Sequence, residues 1–97
     1  MSIRPADDSL DALRERSQGL LVDFLRVDLE LAFTMFRTAE IDKSEHDLAH
    51  YRLALGKARE ALSTIQRLTK LLEDPIRVRE IHLGANDLDE ALKASSS

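Results

Sequence analysis

Residues 20–36, LLVDFLRVDLELAFTMF, are apolar around most of a helix, and that one stretch limits what the chain can fold into. A surface helix needs a single apolar stripe to dock on its neighbour. Taken at about 100° per residue, Leu21, Phe24, Leu25, Asp28, Leu31, Ala32, Met35, Phe36 and Ala39 share one broad face. Val22, Leu29 and Phe33 widen it on one flank and Val27 on the other. Asp23, Arg26, Glu30, Thr34 and Arg37 form a narrow polar strip. One partner helix cannot cover so wide a face, which predicts a helical assembly in which the chain pairs with itself.

The rest of the chain also reads as helix. Helix 1 is expected over about 7–40, with Asp7, Asp8 and Asp11 placing negative charge at its positive end. Gly19 weakens it by about 1 kcal/mol relative to Ala. A break is expected at Ile41-Asp42-Lys43, followed by Ser44 as N-cap with Asp47 completing a capping pattern. Helix 2 follows over about 45–73. Its apolar residues, among them Leu48, Tyr51, Ala54, Leu55, Ala58, Ala61, Leu62 and Ile65, recur in steps of three and four. Small residues at Ala54, Ala58 and Ala61 flatten that face and, with Tyr51, mark it as the helix-packing surface. Asp74-Pro75 ends helix 2 and starts a C-terminal segment over about 75–93, since proline suits the first helical position. Residues 76–83 read as a short helix stopped by Gly84, or as an extended segment. Asn86 or Asp87 then caps a last short helix, and residues 1–5 and 95–97 read as loose ends.

The expected architecture is therefore all-α and a single domain over 1–97. It is a long antiparallel hairpin with Met35 level with His50 and Asp28 level with Lys57–Ala58, because short connections join antiparallel neighbours. Two hairpins paired into a four-helix bundle would cover the leftover face of helix 1. A C-terminal segment folded back on the hairpin is the monomeric alternative.

Composition removes several functions. There is no cysteine, so disulfides, thiolate metal sites and thiol catalysis are excluded. The net charge is −4 and the arginines are interleaved with acids, unlike the basic stripe of a nucleic-acid binder. Acids break the best apolar run, so no membrane span is expected, and the opening residues lack the apolar core of a secretion signal. A cytoplasmic location is the expectation.

Two features bear on chemistry. Asp28 stands inside the apolar face, and a buried carboxylate must be paired, hydrogen-bonded or protonated. Lys57, Tyr51 or an arginine of a second chain are its candidate partners. His46 and His50 are four residues apart in His-Asp-Leu-Ala-His, the spacing that sets two zinc ligands on one side of a helix. A zinc site still needs a third protein ligand, and Asp47 is already assigned to the cap. No nucleophile or phosphate-loop motif is present. The sequence thus points to a non-enzymatic interaction or scaffold module without cofactor or metal, a homodimer whose interface candidates are Leu21, Phe24, Leu25, Asp28, Leu31, Met35 and Phe36. The alternatives are a small-molecule or metal-binding bundle using Asp28, His46, His50 and Tyr51, and a regulatory partner of a larger protein that covers helix 1.

Overall fold

The computed structural model describes residues 5–96. Three helices and no strand make up that region: α1 (Pro5–Ser44), α2 (Leu48–Thr69) and α3 (Pro75–Ser96). The tail expected over residues 1–5 lies outside the described residues, apart from Pro5. No described helix is long and apolar enough to cross a membrane.

The first connection sits later than the sequence suggests. Nothing between Ile41 and Ser44 breaks a helix, so α1 runs on to Ser44. Its end is closed by two bonds: the Asp47 N–H donates to the Asp42 carbonyl at 2.8 Å and the His46 N–H to the Lys43 carbonyl at 3.1 Å. That pattern needs a left-handed residue just past the helix, usually glycine; here it is His46, with φ 63°. The Ser44 hydroxyl turns back to the Ile41 carbonyl at 2.8 Å and caps nothing. Asp47 is the N-cap of α2, its side chain accepting from the His50 N–H at 3.3 Å.

The second connection rests on Pro75. Proline disfavours helical geometry in the residue before it, and α2 unwinds from Thr69 through tight turns at Leu71 and Leu72. Asp74 then caps α3, its carboxylate accepting from the Ile76 N–H at 2.9 Å. Gln18 of α1 holds this connection from the side. Its amide donates to the Leu71 carbonyl at 3.0 Å and accepts from the Glu73 N–H at 2.8 Å.

α1 and α2 form the antiparallel hairpin, and α3 returns along both, antiparallel to α2 and parallel to α1. Leu25, Ile65, Ile81 and Leu88 are fully buried where the three meet. The C-terminal segment is one helix, with no stop at Gly84. That glycine serves a close approach instead: a Cβ there would collide with the Leu29 side chain of α1. Ser95, expected to fray, is buried and fastens α3 to the hairpin. Its carbonyl accepts from the Tyr51 hydroxyl at 3.1 Å, and its own hydroxyl donates to Glu40 at 2.7 Å.

The three helices are unequal. Forty residues make α1 about 60 Å long, whereas α2 and α3, with 22 residues each, reach only about 33 Å. The molecule is a rod of 71 × 19 × 15 Å. Gln18 touches the α2–α3 connection and Arg77 of α3 reaches back to Glu15 at 2.8 Å. The start of α1 before them overhangs the bundle, and every residue from Ser9 to Ser17 is exposed.

Candidate interaction surface

The broad apolar face of α1 resolves into two separate rows. Val22, Leu25, Ala32 and Ala39 are buried, with Leu29 and Phe36 half-buried between them. Their spacing alternates three and four, and they form the core side. A second row with the same alternation runs Leu10, Leu13, Ser17, Leu20, Phe24, Val27, Leu31, Thr34, Thr38 and Ile41. It lies on roughly the opposite side of the helix and faces solvent. Phe24 is 50% exposed, Leu20 65%, Leu31 49% and Val27 56%, and Leu10, Leu13 and Ile41 are exposed likewise. Isolated apolar side chains on a surface are ordinary. Here seven of them stand on one row that has the spacing of a coiled-coil seam.

The predicted interface residues divide between these sides. Leu25 belongs to the core, and Leu21, Met35 and Phe36 pack against it half-buried. Phe24 and Leu31 stand on the outer row. Leu20 and Val27 complete that row within residues 20–36, and Leu10, Leu13 and Ile41 extend it beyond a reading confined to that stretch. A count in steps of 3.5 residues would have found them. At 3.6 per turn a seam drifts by about 20° per heptad, and over so long a helix the two rows blur into one wide face.

Asp28 is half-buried at the edge of α1 that turns towards α2, sharing a shallow open groove with Met35, Lys57, Ala61 and Arg67. It is not enclosed in the core, because the core row passes to one side of it. Tyr51 is elsewhere, at the far end of the bundle with Ser95. Of the helix-packing set, Ala58 has no exposed surface, and Tyr51, Ala54 and Ala61 are half-buried.

The two histidines do not form a helical pair. His46 lies in the turn before α2, and its left-handed backbone removes the register with His50. His50 instead meets Asp47 and Asp42, their ligand atoms lying within 4.8 Å of one another. Both Asp47 oxygens are engaged there, one by the His50 N–H at 3.3 Å and the other by its Nδ1 at 2.7 Å. The group is a helix cap with a neighbouring acid. Asp28, His46, His50 and Tyr51 therefore converge on no common site.

On the side towards α3, Arg26 holds Glu80 with two parallel bonds of 2.5 and 2.7 Å and touches Asp23 at 3.3 Å. These bonds hold the Glu80 carboxyl below its ordinary range and raise the Arg26 guanidinium further above its own. The pair ties the first turns of α3 to the middle of α1, in a groove it shares with Leu29, Phe33 and Ile81.

No family model matches this chain, and no curated protein or solved structure shows significant similarity to it.

Proposed function

We propose that this protein is a non-enzymatic helical interaction module that self-associates, forming a homodimer through the outer row of α1. The observation that carries the reading is the row itself: ten positions spaced alternately by three and four, seven of them large apolar residues still exposed after α2 and α3 have packed. The C-terminal helix folds back as the monomeric alternative requires, yet it takes the opposite side of α1 and leaves this row bare. A pair of such chains contains six helices, against four in the hairpin-only reading. Light scattering at micromolar concentration should give about twice the chain mass of 11.0 kDa. The Leu20→Lys/Leu31→Lys variant should give the single-chain mass with its helical content intact, because both residues lie outside the core. A monomeric wild type would defeat the reading and turn the row over to a different protein.

A further inference from the structure

We propose that the second copy lies antiparallel, its α1 seated on the outer row of the first with Leu20 of each chain level with Phe24 of the other. The inference rests on the self-association reading and adds direction and register to it. The charges beside the row decide both. One flank of the row carries Arg16, Asp23, Glu30 and Arg37; the other carries Arg14, Asp28 and Asp42. In a parallel pair, unlike flanks meet five residues apart. Asp23 of each chain would then face Asp28 of the other, cancelling the attraction of Arg37 to Asp42.

Turning one helix around brings each flank against its own kind, and three registers are open. Alignment over the full row, Leu10 level with Ile41, sets Arg16 against Arg37 and Asp23 against Glu30, each twice. All four contacts are repulsive. Sliding by one heptad so that Leu13 meets Leu31 brings Arg16 opposite Glu30 on one flank and Arg14 within reach of Asp28 on the other. Each of these attractions occurs twice by symmetry. One like-charged contact remains, Asp23 facing its own copy on the axis, and each Asp23 is already paired with Arg26 at 3.3 Å. Sliding the other way sets Asp23 against Arg37 and Arg14 against Asp42, each twice, but it faces Glu30 with Glu30 and Asp28 with Asp28, two like-charged contacts against one. It also leaves Leu10 and Leu13 uncovered where the favoured register leaves only Ile41.

The favoured register also accounts for the overhang. The segment from Ser9 to Ser17, exposed throughout in the single chain, lies along residues 27–35 of the second copy, and the seam runs about 36 Å. The two-fold axis makes the contact self-complementary and closed. It also offers Asp28, at the edge of the row, an arginine from the other chain.

Because the chain has no cysteine, single-cysteine variants report the geometry directly. Disulfides form only where Cα atoms come within about 7 Å. Leu13→Cys mixed with Leu31→Cys should give a disulfide-linked dimer after subunit exchange, while neither variant links to itself. Self-linking of Leu13→Cys would overturn the antiparallel direction, and linking of Leu13→Cys to Thr38→Cys would overturn the register. Both results leave the dimer standing. A single-chain mass for the wild type by light scattering defeats the self-association reading and this inference together. Arg16→Glu should weaken the dimer roughly tenfold, and adding Glu30→Arg should restore it. Failure of that rescue also counts against the register.

Discussion

His46 shows how a single residue can occupy a position unfavourable to its type. Its φ of 63° closes α1 in a conformation that costs a side chain with a Cβ and costs glycine nothing. Its side chain is exposed, so the substitution loses no packing. His46→Gly is expected to stabilise the fold by about 1 kcal/mol, read as a higher denaturant midpoint with unchanged slope. Gly84 is the opposite case. It sits in mid-helix, where glycine is unfavourable by roughly 0.5–1 kcal/mol relative to Ala, because the Leu29 side chain occupies the space where a Cβ would stand. Neither role is visible in a sequence pattern. Glycine predicts a stop and histidine a ligand until the neighbours are known. Asp28 belongs to the same scale. It is half-exposed, so Asp28→Ala should leave the stability of the folded single chain within about 0.5 kcal/mol. Its effect should appear in dimer affinity. A loss of several kcal/mol in a monomeric variant background would restore the buried-acid argument.

Between elements, the contact of α2 with α1 depends on small residues. Ala58 has no exposed surface, and Ala58→Leu should force the helices apart at a cost of about 1–3 kcal/mol. An unchanged melting midpoint would place residue 58 outside the crossing. The link between α1 and α3 is polar at Arg26–Glu80 and responds to pH. The Glu80 carboxyl is held below its ordinary value by the hydrogen bonds from Arg26, so the folded state binds its proton less readily than the unfolded state. The pair therefore contributes stability above the usual glutamate range, near pH ~4.3. That contribution is lost as pH falls through the depressed folded value. Arg26 stays charged throughout. In acid titrations followed by circular dichroism, Glu80→Gln should lose less stability than the wild type between about pH 5 and pH 3. Parallel titration curves for the two proteins would contradict this account.

For the whole molecule, a rod 71 Å long and 19 Å wide has little interior, and α1 reaches past its neighbours with leucines exposed. If a second copy covers them, folding and association are linked, and the thermal midpoint should rise with protein concentration. A midpoint independent of concentration over a hundredfold range would separate the two. The all-helical architecture and the proline start of α3 were legible in the residues, but the expected level of Met35 with His50 and of Asp28 with Lys57 was not met. With the turn later in the chain, Asp42 is the α1 residue that meets His50, and Met35 shares its grooves with Lys57. Helical periodicity is a local property; the register between two helices is not read from it, because it shifts with every residue by which the turn moves. The excess of apolar surface on α1 was legible for the same reason, since it is a property of one helix counted by itself. The passage of α3 through Gly84, the seat of Ser95 and the division of α1 into a buried and a bare row were decided by tertiary structure. Each depends on which side chain arrives from another element: Leu29 against Gly84, Tyr51 and Glu40 against Ser95, and α2 with α3 against one side of α1. Sequence alone determined that α1 has more apolar surface than one neighbour needs. Only packing determined which row is left over, because burial is set by where the partner helices stand.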